Sequence, residues 1–287
     1  MTDKYDEEPV FKAPPKSCDC HFHVFGLADR YPYASNLRYV PPLAPLEDYL
    51  SLTRRLGIER YVFVQPSAYG QDNACMLDAM RKLGTVCRGI VDVDENISET
   101  ELGEMNKAGV RGIRVNVSPV KLQEADVCAT LLPRIRFLNA LCAEMGWQID
   151  FLTPGWLTSE LMDTFKTLKV DFTIAHMGMF LAKDGIGQRG FQQLLDLLRF
   201  GEGHCWVKLT GVYRMSTTLG FVDAEPMAHA LLEVAPNRVI WGSDFPHLSF
   251  TNKVHSIELF NLLGHWAPDE EIQRTILVEN PQQLFKF

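Results

Sequence analysis

No run in this chain approaches the roughly 18 consecutive apolar residues that a membrane-spanning helix needs, which sets a membrane aside as a partner. A Gly-x-Ser-x-Gly elbow is missing, so a serine hydrolase of that design is excluded. So is a glycine-rich loop followed by lysine, which excludes a kinase or ATPase. The glycine fingerprint of a dinucleotide-binding sheet is absent after the first apolar run. Basic residues are short, 28 against 36 acidic, and the net charge of −8 repels phosphate backbones, so nucleic acid is excluded as a partner. A local arginine cluster can still reverse the sign inside a pocket. The seven cysteines (Cys18, Cys20, Cys75, Cys87, Cys128, Cys142 and Cys205) are odd in number and show no Cys-x-x-Cys. They read as reduced, mostly buried thiols of a cytoplasmic protein. Residues 1–16 have neither a basic start nor an apolar core, so they do not read as a signal peptide. They read as a flexible or draped N-terminal arm ahead of one domain, 17–287.

What is present is ordinary globular composition, 46% hydrophobic and 22% charged, in 287 residues. Short β-branched runs predict eight strands, at 18–25, 61–65, 89–94, 112–117, 147–151, 172–176, 206–210 and 239–242. Amphipathic stretches predict helices between them at 46–56, 73–83, 99–108, 126–145, 157–168, 191–200, 224–234 and 257–263, with a closing helix and tail after 272. Gly57, Gly84, Gly109 and Gly146 each follow a helical run, where a C-cap glycine belongs. Eight strand–helix alternations in under 300 residues point to a single α/β domain, a TIM-type (β/α)8 barrel.

In that fold the active site lies at the C-terminal ends of the strands. The first strand offers His21 and His23, two positions apart and therefore on one face of a regular strand. By the same alternation Cys18 and Cys20 fall on the opposite face and outside the site. The sixth strand ends at His176 and the eighth at Asp244, followed by His247. Three imidazoles and a carboxylate suit a Zn²⁺ shell, and they equally suit a metal-free hydrolytic set. In the second case Asp244 takes a proton from water while the imidazoles bond a carbonyl oxygen. Arg114 and Arg214 are the anion-recognition candidates, because a guanidinium grips a carboxylate in two places. Tyr39, Ser67 and Tyr213 are polar groups within reach of a ligand. Asp150 ends the fifth strand.

Five motifs carry a resemblance that runs from about Asp19 to Phe285. They are Asp-x-His-x-His-Val-Phe-Gly, Val-Gln-Pro-Ser-x-Tyr-Gly-x-Asp-Asn, Gly-Val-Arg-Gly-Ile-Arg-x-Asn, His-Met-Gly and Val-Ile-Trp-Gly-Ser-Asp-Phe-Pro-His. Together they resemble the amidohydrolase superfamily, in the branch of 2-pyrone-4,6-dicarboxylate lactonase, 4-sulfomuconolactone hydrolase and D-galactarolactone isomerase. The resemblance implies a distorted barrel and hydrolysis of a lactone of a small organic or sugar acid. It implies that His21, His23 and His176 polarise the carbonyl and that Asp244 is the general base. Tyr39, Ser67, Arg114, Asp150, Arg214 and His247 are then on the ligand side. No cofactor is required on this reading; the alternative is one Zn²⁺ or other divalent ion on His21, His23, His176 and Asp244. A Zn²⁺-dependent non-oxidative decarboxylase and a lactone isomerase are the alternative activities. The partner is a small molecule, and a homo-oligomer is compatible with a barrel of this size. The chain departs from the pyrone dicarboxylate enzymes at Met179 and Val120, where they carry arginines, and at Asp150, where they carry tyrosine. Two missing guanidiniums and an added carboxylate predict a ligand with fewer anionic groups.

Overall fold

The structure, a computed structural model, describes residues 8–35, 37, 39–118 and 120–287. Eight parallel strands follow one another round a single sheet in sequence order: β1 (Cys18–Phe22), β2 (Arg60–Val64), β3 (Cys87–Val91), β4 (Val110–Asn116), β5 (Gln148–Leu152), β6 (Phe172–Ile174), β7 (Cys205–Leu209) and β8 (Val239–Trp241). Helices lie between them. These are α1 (Leu46–Leu56), α2 (Ala74–Leu83), α3 (Glu99–Lys107), α4 (Val127–Met145), the split pair α5 (Gly155–Glu160) and α6 (Met162–Phe165), α7 (Arg189–Phe200) and α8 (Glu225–Val234). Then α9 (Ser256–Trp266), α10 (Glu270–Arg274), a π-turn at Thr275–Glu279 and α11 (Asn280–Phe285) close the chain. No helix of the described residues is long and apolar enough to cross a membrane.

The local reasons are ordinary. In α1 the buried Leu46, Tyr49, Thr53 and Leu56 recur at helical spacing, and Glu47 and Asp48 stand at the positive N-terminal end. Arg54 and Arg55 stand at the other end, and Gly57 caps the helix at φ 77°. Ser98 and Glu101 form a reciprocal capping box on α3. The expected helix at 157–168 is interrupted at Leu161, and the expected strand at 172–176 stops at Ile174, two residues before the backbone turns left-handed at His176.

One irregularity re-aims the first strand. Cys18 pairs with Arg60, Asp19 with Tyr61 and Phe22 with Phe63, so Cys20 and His21 together oppose Val62. This is a β-bulge, and it breaks the alternation on which the expected facing of β1 depends. The expectation for Cys18 and Cys20 is therefore corrected. They face the barrel interior with Val62, Val64, Ile90, Trp206 and Ile240, as His21 does, while Asp19 faces helix α1.

The barrel closes just beyond β8. Asp244 N–H donates to the His21 carbonyl (2.8 Å) and His23 N–H donates to the Phe245 carbonyl (2.8 Å). Asp19 staples the same seam: its Oδ1 accepts from the Ser243 N–H (3.0 Å) and the His21 N–H (3.1 Å), and its Oδ2 accepts from the Tyr49 hydroxyl (2.9 Å). Gly242 permits this approach, since a Cβ there would lie 2.7 Å from both the backbone N and the Cβ of His21. Of the arm, residues 1–7 lie outside the described residues. Beyond them, Val10 N–H donates to Asn261 (2.8 Å) and Phe11 stacks on Phe260 (4.3 Å), which lays this stretch along α9.

Candidate active site

His23 lies just past the end of β1. Its Nδ1 is 2.7 Å from the Val64 carbonyl, which can only accept, so the ring proton sits on Nδ1 and Nε2 presents a lone pair. That lone pair points at Asp244, with Nε2 3.5 Å from Oδ1. Burial pulls the His23 imidazole below its ordinary value, against the charge of the Asp244 carboxylate, and so favours the neutral ring. His21 stands 3.6 Å from the same Oδ1 through its Nε2, an atom with no hydrogen-bond partner.

His176 and Asp244 reach the site through strained backbone. His176, Met177, Gly178 and Met179 are consecutive left-handed residues (φ 51°, 48°, 78° and 57°), and Asp244 has φ 55°. Non-glycine residues in this region are uncommon and cluster where a side chain must be aimed against local preference. His176 bonds the Thr210 hydroxyl through Nδ1 (2.6 Å) and leaves Nε2 3.8 Å from Asp244 Oδ2. Gly211, at φ 58°, lies under the ring, and a Cβ there would meet His176 Nδ1 at 2.5 Å. Burial holds the His176 imidazole at about 3, against the pull of the Asp244 carboxylate.

Asp244 is buried, and burial alone would raise its carboxyl. The Arg214 guanidinium outweighs that and holds it well below the ordinary range. Arg214 donates to Asp244 Oδ2 from Nε (3.2 Å) and Nη2 (3.1 Å), and the Tyr213 hydroxyl donates to the same oxygen (2.5 Å). Arg214, expected to grip a ligand anion, has its Nε and Nη2 engaged by Asp244. His247 sits behind this pair, edge-on to Tyr213 (5.9 Å) and bonded to Ser256 Oγ (3.0 Å).

Asp150, also expected on the ligand side, is fully enclosed in the barrel. Its Oδ1 accepts from Lys208 Nζ and Thr173 Oγ1, both at 2.5 Å, and Oδ2 faces Arg114 Nε at 3.5 Å. It is the counter-ion of Lys208 and Arg114, because an unpaired carboxylate at this depth would be costly. Arg114 also donates to the Gln65 carbonyl (2.8 Å). Tyr39 and Ser67 pair at the mouth (3.3 Å), with Ser67 exposed. Val120 is exposed on the rim, and Met179 is buried beside His176. Lys208 escaped the sequence reading. Its signal was a lone charged residue inside the apolar run Trp-Val-Lys-Leu, which a regular strand would otherwise bury at great cost.

His21, His23 and Asp244 offer ligand atoms within 4.8 Å of one another, a spacing suited to a divalent ion. The donor chemistry fits at His23 and Asp244, which present lone pairs. It departs at His21, whose Nδ1 meets Lys208 Nζ at 3.2 Å. An ammonium has only hydrogens to offer, so the His21 proton belongs on Nε2, where a metal would need a lone pair.

Residues 18–287 match the amidohydrolase family model. The chain belongs to the amidohydrolase family. It is 37% identical to a 4-sulfomuconolactone hydrolase of Hydrogenophaga intermedia, across 96% of this chain and 90% of the relative. It is 31% identical to a 2-pyrone-4,6-dicarboxylate hydrolase of Comamonas testosteroni, across 97% and 92%. Among solved structures, an Agrobacterium tumefaciens protein superposes with a TM-score of 0.86 at 25% identity, over 97% of this chain and 98% of that one. A Burkholderia multivorans amidohydrolase that carries bound zinc shares the fold (TM-score 0.72, 18% identity, 94% and 99% covered).

Proposed function

We propose that this amidohydrolase opens the lactone ring of a small acid by hydrolysis, with histidine rather than a metal polarising the carbonyl. The observation that carries the reading is the facing of two acceptors, His23 Nε2 and Asp244 Oδ1, at 3.5 Å. A water molecule has two O–H groups to give them and keeps a lone pair for a carbonyl carbon. The partnerless N–H of His21 beside them supplies the donor a carbonyl oxygen needs. Attack forms the carbon–oxygen bond and passes the water proton to Asp244. Collapse of the intermediate breaks the ring carbon–oxygen bond, and the departing ring oxygen takes that proton, giving a hydroxy acid. The relatives' names, both hydrolases of lactone-ring compounds, support this reaction class.

The roles of the histidines therefore divide. Neutral His23 accepts and does not donate to an oxyanion, which narrows the resemblance-based expectation that all three imidazoles polarise the carbonyl. The charges of the site supply the substrate's sign. Arg114, Lys208 and Arg214 stand against Asp150 and Asp244, three cations to two carboxylates, inside a chain of net charge −8. One anionic group on the ligand restores neutrality, with Arg114 and the Tyr39–Ser67 pair facing it.

The test is a pH-indicator screen of muconolactones, pyrone lactones and sugar-acid lactones on chelator-treated protein, with and without added Zn²⁺. Turnover in both arms is expected. Turnover only with Zn²⁺ would overturn the metal-free reading, and silence on every lactone would overturn the lactonase reading.

A further inference from the structure

Lys208 is fully buried on β7, between Asp150 and the ring of His21. Its ion pair with Asp150 explains how a cation is tolerated there, but not why the barrel holds one at all. An apolar pair of similar volume would fill the same space without desolvating two charges. The second contact gives the reason. The ammonium sits 3.2 Å from His21 Nδ1, on the opposite edge of the ring from the orphaned Nε2. Whichever nitrogen faces the ammonium must accept, and the other must carry the hydrogen. No other described hydrogen bond to the His21 ring competes for that choice.

We propose that Lys208 is a positioning residue that locks His21 in its Nε2–H tautomer, presenting a hydrogen-bond donor to the substrate carbonyl oxygen and withdrawing His21 from metal ligation. The catalytic half of this rests on the lactonase reading; the tautomer and metal halves do not. The reaching partners come from three strands: His21 from β1, Asp150 from β5 and Lys208 from β7, so only the closed barrel assembles the relay. Asp150 holds the ammonium in place by accepting one of its hydrogens, and Thr173 steadies the same carboxylate oxygen.

The experiment is long-range ¹H–¹⁵N NMR of protein labelled in histidine, read for which His21 nitrogen bears the proton, alongside Zn²⁺ titration by calorimetry. Wild-type protein is expected to show His21 protonated on Nε2. Lys208→Met strips Asp150 of the nearer of its two cations and endangers the fold, so the decisive variant is the double Lys208→Met/Asp150→Leu, which removes both charges together. That variant is expected to shift the His21 proton toward Nδ1 and to bind Zn²⁺ at least tenfold more tightly than wild type. On an accepted lactone its kcat should fall at least tenfold with KM changed less than threefold. A wild-type His21 protonated on Nδ1, or equal Zn²⁺ affinity in the two proteins, would overturn the proposal. The expected tautomer and Zn²⁺ shift in a protein that hydrolyses no lactone would leave Lys208 in its role and remove the lactonase reading instead.

Discussion

His23 turns its proton away from Asp244: Nδ1 bonds the Val64 carbonyl at 2.7 Å, and the bare Nε2 faces Asp244 Oδ1 at 3.5 Å. Two acceptors at that separation repel unless something with two hydrogens, or a cation, stands between them. Water satisfies both. On the proposed reading, that water is the nucleophile.

Asp244→Asn is the sharpest test of the base. Asparagine keeps the size and can still accept from Arg214, but it cannot take a proton. Turnover of an accepted lactone should drop by on the order of 10²–10⁴, the range of a lost general base. Wild-type turnover in the variant would sink the mechanism.

Ring migration discriminates the isomerase alternative. On a sugar-acid lactone followed by NMR, the open hydroxy acid should be the first new species. A relocated ring appearing ahead of any open acid would reassign the activity to isomerisation.

Met179→Arg should widen the ligand's charge. The left-handed turn that aims His176 also carries Met179, which is buried. A charged hydrogen bond gained there is worth about 1.5–3 kcal/mol before the guanidinium's burial is counted. The ratio of kcat/KM for a pyrone dicarboxylate over a monoacid lactone should rise about tenfold. An unchanged ratio would mean that Met179 does not touch the ligand.

Gly242→Ala should damage closure and chemistry together. The added Cβ meets the backbone of His21 at 2.7 Å, where nothing flexible can yield. Overpacking of this kind costs about 1–3 kcal/mol. Denaturant unfolding should report that loss, accompanied by lower turnover because the same contact positions His21.

Acid sensitivity follows from the buried imidazoles. Burial holds His247 down at about 4, with Asp244 pulling the other way. Below about pH 6.5 the unfolded chain binds a proton at this ring that the folded protein refuses until about pH 4. Its contribution is therefore complete above pH 6.5 and is lost as the pH falls toward 4. His247→Gln should lower the slope of unfolding free energy against pH in that window by about 1.4 kcal/mol per pH unit. An unaltered slope in urea titrations would show that His247 charges freely in the folded state.

The eight-fold alternation, the strand-end positions of His21, His23, His176 and Asp244, and the family itself were legible in the sequence, because apolar periodicity and short motifs are local properties of the chain. The helix ends at Leu56 and Met145 were legible for the same reason, each being followed by a left-handed glycine. What each site group faces was not legible. Arg214 looks like an anion clamp until folding brings it onto Asp244, and Asp150 looks like a ligand contact until β7 supplies Lys208. The bulge between Asp19 and Phe22 turns His21 inward against strict alternation, and it exists only because β1 pairs with β2 in that register. Proton positions belong to the same class. An imidazole's tautomer is set by whichever acceptor or donor reaches its far nitrogen, and the Val64 carbonyl and the Lys208 ammonium arrive from 41 and 187 residues away. The sequence determined which groups meet at the mouth of the barrel. Only closure of the barrel decided which of them give a hydrogen and which accept one.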